Sequence, residues 1–336
     1  MKIIITGGGT GGHLSIAKAF KEELVKRGIT PIFIGSTYGQ DREWFENDED
    51  FYKRYFFETS GVVNKKGLKK LSSLLNIFKK SKECVKIIND EDVKAIISVG
   101  GYSAAPASFG AIYTKTPLFI HEQNAIMGRL NRLLSPFAKR VFCSFTPPYA
   151  PYPVSDIFFK KKRVRKDIKT VIFLGGSQGA KEINDFALKV ANKLNEKGIN
   201  IIHQTGKRDF DRVKKEYERL DIKADVFAFD KNLIEKIAAA DFAVSRAGAS
   251  TLWELASNAL PALYFPYPYA AGNHQYYNAK YLVDKGAGFL AGNLKEKDFL
   301  NILDKNMENI SKKLISLSDE NGAKKIVDEI LKFIKE

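Results

Sequence analysis

Cysteine is nearly missing from this chain. Cys84 and Cys143 are its only two, and they match neither a metal-ligand spacing nor a disulfide framework. A cystine-stapled secreted fold is thereby excluded, and a reducing cytoplasm is the economical setting. No uninterrupted apolar run reaches membrane-spanning length, and a strand pattern begins within two residues of Met1 without a signal peptide ahead of it. The expectation is a protein that is made in the cytosol and stays there. Acidic residues are in deficit, 39 Asp and Glu against 54 Lys and Arg, for a net charge of +15. No helix-turn-helix, zinc-finger or aromatic RNA-binding signature accompanies that charge, so nucleic acid is not an expected partner. No aspartate cluster has metal-ligand spacing, and neither a metal nor a cofactor is expected.

Glycine, with 25 residues an ordinary share of the chain, is concentrated where packing cannot explain it. Gly7-Gly8-Gly9-Thr10-Gly11-Gly12-His13 runs straight out of the apolar strand Lys2-Ile3-Ile4-Ile5-Thr6. Each glycine costs backbone entropy on folding and offers nothing to bury, so the loop is read as one that bends sharply and lets something approach its backbone. A helix follows, with Ile16, Ala19, Phe20 and Leu24 on one face. Strand, glycine loop and helix start together are expected to present free N–H groups to an anion, usually a phosphate. Gly7, Gly9 and Gly12 satisfy the dinucleotide pattern, which also asks for an acidic residue at the end of the second strand. That strand, Pro31-Ile32-Phe33-Ile34, ends in Gly35-Ser36-Thr37, which disfavours a nicotinamide enzyme. His13 sits where loop meets helix and has no apolar face to join, so structural and chemical readings both stay open.

Further strand-like runs at 31–34, 54–57, 95–99, 117–121 and 140–145 alternate with helical patterns, notably over 67–88 and 104–113. Such alternation predicts a parallel sheet covered on both faces. Four prolines in eight residues at 146–153 then mark a linker. Beyond the basic run 160–169 the opening repeats in architecture: strand 170–174, glycine loop 175–180, helix 183–194. Strands at 200–204, 225–229, 241–245 and 262–265 continue it. The expected fold is α/β, two Rossmann-like doubly wound domains facing across a cleft, with boundaries at 1–153 and 154–318 and a last helix, 319–336, that either caps its own domain or crosses back to the first.

Three polar stretches leave strand ends. Ser245-Arg246-Ala247-Gly248-Ala249-Ser250-Thr251 gives a close turn and a helix start whose amides suit a diphosphate, with Glu254 one turn in. Glu254 reads equally as a helix N-terminal charge. The stretch 266–278, Pro266-Tyr267-Pro268-Tyr269-Ala270-Ala271-Gly272-Asn273-His274-Gln275-Tyr276-Tyr277-Asn278, is dense in groups that hydrogen-bond sugars, and His121-Glu122-Gln123-Asn124 is similarly polar after a central strand. The stretch 65–82 interleaves Lys65, Lys66, Lys69, Lys70, Lys79, Lys80 and Lys82 with Leu68, Leu71, Leu74, Leu75 and Phe78. A lysine-flanked apolar stripe suits an anionic membrane surface. An ordinary core-facing helix with a solvated outer face is the alternative.

Taken together, GGGTGGH at 7–13, SVGGYSAAP at 98–106, HEQN at 121–124, GGSQGA at 175–180, SRAGAST…E at 245–254 and HQYYNA at 274–279 resemble the motifs of the MurG family, in glycosyltransferase family 28. They span nearly the whole chain. The resemblance implies the two-domain glycosyltransferase B fold, whose last helix returns to the first domain. It implies an inverting, metal-independent hexosyltransferase that carries N-acetylglucosamine from UDP-N-acetylglucosamine to lipid I, the undecaprenyl-linked muramyl pentapeptide, forming lipid II for peptidoglycan. By this resemblance Ser177 contacts the diphosphate, Ala249, Ser250, Thr251 and Glu254 bind phosphate and ribose, Phe229 and Asp230 read uracil, and Gln275 and Asn278 hold the sugar. Thr10, Gly11, Gly12 and Asn124 close over the donor, His13 is the candidate base with Glu122 as its rival, and Leu68, Leu71, Leu75 and Phe78 sit on the membrane. The implied location is peripheral, on the cytoplasmic face of the bacterial inner membrane. Family members carry Asn-Pro-Val-Arg at the linker. Here Tyr152-Pro153-Val154-Ser155 stands in its place, and the arginine is absent. A diacylglycerol-type glycolipid transferase and a non-catalytic nucleotide-sugar scaffold are the competing functions.

Overall fold

The computed structural model describes residues 1–61, 66–176, 178–230, 232–292, 294–318 and 320–335. Two compact units result, Met1–Ser155 with Asn321–Glu336, and Asp156–Glu320. In the first, β1 (Lys2–Thr6), β2 (Ile32–Ser36), β3 (Lys53–Phe57), β4 (Val93–Ser98), β5 (Leu118–Glu122) and β6 (Arg140–Cys143) form an all-parallel sheet in the order β3-β2-β1-β4-β5-β6. In the second, β7 (Thr170–Leu174), β8 (Asn200–Gln204), β9 (Ala224–Phe227), β10 (Phe242–Ser245), β11 (Ala262–Tyr264) and β12 (Phe289–Leu290) are ordered β12-β11-β10-β7-β8-β9. The first sheet thus has the order 3-2-1-4-5-6 of a doubly wound dinucleotide-binding fold, and the second, counted from its own first strand and read from the β9 edge, has the order 3-2-1-4-5-6 as well. The expected α/β class is what the chain adopts.

Parallel sheets are covered on both faces, so their strands read as continuous apolar runs. Ile3, Ile4 and Ile5 are all fully buried, as are Val171, Ile172 and Phe173. Short elements that the sequence reading did not place include the helices Asp41–Phe45 and Asp156–Lys160 and the two-residue strand β12. The last helix, Gly322–Lys335, belongs to the first unit. It buries Ala323, Ile326, Val327 and Ile330, packs on the helix Gly11–Lys26, and pairs Asp328 with Arg27 and Glu329 with Arg140. Gly322 starts it because the chain passes the linker backbone there: Gly322 N–H donates to Tyr152 O at 3.2 Å, and a Cβ would fall 1.9 Å from Pro151 O.

Within the basic run 160–169, Arg165 departs from a solvated face. It is fully buried, and its guanidinium donates to the carbonyls of Ala240, Arg163 and Asn258 and to Asn258 Oδ1 at 2.6 Å. Ala240 and Asn258 close the helices Leu233–Ala239 and Ala249–Ser257, so one cation satisfies the carbonyl ends of two helices. Burial pushes its pKa down to about 9. Arg165→Met is expected to strand those carbonyls and lower the stability of this unit by roughly 3 kcal/mol in urea unfolding. An unchanged midpoint would refute that role.

In the first unit, His121 on β5 lies edge-on to Phe20 and Tyr152, and neither ring nitrogen has a hydrogen-bond partner. Burial first, and the charge of His13 second, push its pKa down to about 3 from an ordinary 6.5. Between those values the unfolded chain binds the proton that the fold refuses. Stability is thus complete above roughly pH 6.5 and falls as the pH drops toward 3, by up to about 1.4 kcal/mol per pH unit. His121→Phe keeps the ring and removes the proton site. Its melting temperature should match the parent at pH 7.5 and decline less steeply between pH 6.5 and 5; parallel decline would contradict the assignment.

Candidate active site

In a doubly wound sheet, ligands sit beyond the carboxyl ends of the strands where the strand order reverses. For the first unit that point lies between β1 and β4, whose register ends on Thr6 opposite Ser98. Two glycine loops leave there side by side. Gly8 N–H donates to Gly100 O at 3.2 Å, a Cβ on Gly7 would fall 2.4 Å from Gly100 O, and one on Gly101 would fall 2.3 Å from Gly8 O. Backbone meets backbone, and no side chain fits between them.

This contact narrows the expectation that the first loop and the helix start after it offer their amides to an anion, since the first three amides of the loop are already engaged. Gly7 N–H donates to Ile34 O, Gly8 N–H to Gly100 O, and Gly9 N–H to the carboxylate of Asp41. All three donors are consumed inside the fold. Asp41 is fully buried, also accepts from Ser36 N–H at 2.8 Å, and fills the space that a Cβ on Gly8 or Gly35 would need. Burial raises its pKa above the usual carboxylate range, and the Ser36 and Gly9 N–H groups hold that rise back. The sequence reading missed Asp41, because its partner Gly9 lies far along the chain and nothing local marks the contact.

What the first loop does organise is His13. Thr10 is the N-cap of the helix Gly11–Lys26, yet its hydroxyl makes no cap bond. It lies instead 2.9 Å from His13 Nδ1, while Gln123 Nε2 lies 2.7 Å from His13 Nε2. The ring is half-buried and held at both nitrogens. Glu122, next to Gln123 in sequence, is buried and differently employed: Oε1 accepts from Asn124 N–H at 2.9 Å, and Oε2 from Gly128 N–H at 2.9 Å and Asn131 Nδ2 at 2.8 Å. It ties down the segment after β5, and with it Asn124. Ser155, at the place of the missing arginine, donates to Glu22 Oε2 at 3.2 Å.

In the second unit the reversal lies between β7 and β10. The helix Ala249–Ser257 starts there on Gly248, an N-cap without a side chain, whose Cβ would meet nothing within 4 Å. Its first turn carries no acidic residue, so Ala249, Ser250 and Thr251 form a helix start with positive dipole and open space ahead of Gly248. Glu254 is half-buried one turn in. Arg246, just before, pairs with Glu182 at 2.6 Å, donates to Phe265 O at 3.1 Å, and stacks on Tyr267. Gln275 Oε1 accepts from Tyr267 N–H at 2.9 Å. Asn278 is fully buried, and its amide donates to Ala247 O at 3.1 Å, so it fixes the turn from inside. Phe229 is exposed and Asp230 half-buried in the loop after β9, where Asp230 accepts from Asn232 N–H at 2.7 Å. Ser177 lies outside the described residues.

The lysine-flanked stripe is not core-facing. On the helix Gly67–Asp90 only Ile77, Ser81, Cys84 and Ile88 are buried, whereas Leu68, Leu71, Leu74, Leu75 and Phe78 are exposed, Leu68 to 85%. Among the described residues, no helix is long and apolar enough to cross a membrane, and no three His, Cys, Asp or Glu side chains gather as a metal-binding group.

Residues 3–143 match the glycosyltransferase family 28 N-terminal domain, and residues 170–330 the glycosyltransferase family 28 C-terminal domain. The chain is 58% identical to the UDP-N-acetylglucosamine–N-acetylmuramyl-(pentapeptide) pyrophosphoryl-undecaprenol N-acetylglucosamine transferase of a Nitratiruptor species, with 100% of both chains covered. It is 51% identical to the enzyme of the same name from Campylobacter jejuni, over 98% of each. Among solved structures, Acinetobacter baumannii MurG shares the fold with a TM-score of 0.77 at 23% identity, over 98% of this chain and 99% of that one. With both of its domains matched and more than half of its residues shared end to end with such a transferase, the chain belongs to glycosyltransferase family 28.

Proposed function

We propose that this chain transfers N-acetylglucosamine from UDP-N-acetylglucosamine to the C4 hydroxyl of undecaprenyl-pyrophosphoryl-N-acetylmuramyl pentapeptide, with inversion. The observation that carries the reading is the 58% identity over the full length to a transferase of that name. In the reaction His13 Nε2 takes the acceptor hydroxyl proton, the oxygen attacks the anomeric carbon, and the bond from that carbon to UDP breaks, UDP leaving with the electron pair. The amides of Ala249, Ser250 and Thr251 stabilise the charge that grows on the diphosphate. Glu254 accepts from the ribose, Phe229 and Asp230 border the uracil, and Ser177 adds a diphosphate contact. Gln275 touches the sugar, while Asn278 serves by shaping the turn. Thr10, Gly11, Gly12 and Asn124 complete the donor contacts. Glu122 is the weaker base candidate, because its two oxygens already accept three hydrogen bonds.

A UDP-release assay with defined donor and acceptor tests these roles. His13→Ala is expected to lower kcat by about 100-fold or more with little change in KM for the donor. Gln275→Ala is expected to raise that KM about tenfold, the worth of one hydrogen bond. Small and equal effects would reject both assignments.

The bare stripe on the helix Gly67–Asp90 supports a peripheral placement on the cytoplasmic face of the inner membrane, where a lipid-linked acceptor resides. Exposed leucines enter the acyl boundary while Lys69, Lys70, Lys79 and Lys82 meet anionic headgroups. Cosedimentation with phosphatidylglycerol vesicles should be strong at low salt and weaken as salt rises. Leu71→Glu with Leu75→Glu should abolish it without altering the melting temperature. Undiminished sedimentation would remove this surface from the proposal.

A further inference from the structure

Gln123 follows β5 and is buried at 8% exposure, its carboxamide turned to His13. The carboxamide is oriented with Nε2 toward the ring, 2.7 Å from His13 Nε2; an amide nitrogen donates, so in this arrangement the imidazole Nε2 accepts. The ring proton then resides on Nδ1 and is donated to Thr10 Oγ1, 2.9 Å away. This arrangement corresponds to the tautomer whose Nε2 lone pair can take a substrate proton; a carboxamide and a hydroxyl can each donate or accept, so the tautomer itself is part of the proposal and is what NMR decides. That ring packs against the backbone of Gly100. Of the titratable groups nearby, His121 on β5 interacts with it electrostatically, Glu122 precedes Gln123 and is held by its three donors, and Asp41 and Tyr102 meet Gly9 in the loop ahead of the helix.

We propose that Gln123 is the positioning residue of the base: its carboxamide N–H holds Nε2 of neutral His13 until the acceptor hydroxyl displaces it. After proton transfer, rotation of the carboxamide by half a turn brings Oε1 to the new Nε2–H. A primary amide carries both a donor and an acceptor, so it serves both protonation states. A carboxylate at 123 would hold the imidazolium instead, and an aliphatic side chain would hold neither. This inference rests on the reading of His13 as the base.

Two measurements test it. Nitrogen-15 NMR of the whole histidine-labelled chain, above the pH at which His13 titrates, should find the His13 proton on Nδ1; a proton on Nε2 overturns the proposal. Gln123→Glu should shift the acid limb of the kcat profile upward by about one pH unit. Gln123→Leu should lower kcat about tenfold with KM for UDP-N-acetylglucosamine unchanged. Loss of both parameters together with an unmoved acid limb would make Gln123 merely structural and overturn the proposal. If His13→Ala retained full turnover, the base reading itself would fail. The NMR titration of His13 in the Gln123→Glu chain would then still decide whether the carboxamide governs the ring.

Discussion

Two backbones closer than a methyl group allows are the constraint on which the first unit depends. Gly7 and Gly8 press against Gly100 and Gly101 so tightly that a Cβ at Gly7 or Gly101 would fall within 2.4 Å of a carbonyl oxygen. The hydrogen bond from Gly8 to Gly100 continues the β1–β4 ladder past the last paired residues of the two strands. Thr10 and His13 then start a helix at a fixed offset from the sheet, and β5 delivers Gln123 to the same ring. A shift of either loop would misplace all three. The glycines are therefore justified by what they let the two loops do to each other, before any ligand enters.

Asp41 extends the same logic to charge. Burying a carboxylate is costly unless donors meet it, and here two backbone N–H groups do so, one from the first glycine loop and one from the end of β2. One result is a loop whose first three amides are already engaged, unlike a phosphate cradle. The second unit is arranged differently: its helix start on Gly248 keeps open space ahead of it, and the loop before it is braced from behind by Asn278. Electrostatically, then, the two glycine-containing turns are unequal. The amides of one are turned inward, and the helix start of the other is left open.

What was legible in the sequence was whatever a local pattern determines. Parallel strands such as Ile3-Ile4-Ile5 and Val171-Ile172-Phe173 are buried on both faces, so their apolar runs announce them. The helix 67–88 was read to within two residues of its observed end at Asp90. Illegible were the features set by partners far along the chain. Arg165 sits in a run of basic residues and looks solvated, yet its ligands are the ends of helices that close at Ala240 and Asn258. Asp41 looks like a helix-start charge until Gly9 is brought to it. The engagement of the Gly7, Gly8 and Gly9 amides was hidden for the same reason, since their acceptors, Ile34, Gly100 and Asp41, lie outside the motif. The direction of the exposed stripe was also undecidable from spacing, because buried and bare faces share one helical period and only the C-terminal part of that helix finds neighbours.

The helix Ala249–Ser257 has a consequence for the protein at rest. Its far end is closed by the buried Arg165, while its near end starts on a glycine that brings no side-chain cap. Any anionic guest that docks against those first-turn amides completes an element of the fold as well as occupying a site. Ligation and resistance to unfolding thus become the same free energy by mass action. On the proposed assignment of the donor to this unit, a cell rich in sugar nucleotide would keep it tighter than a starved one, and spent nucleotide would share in that protection.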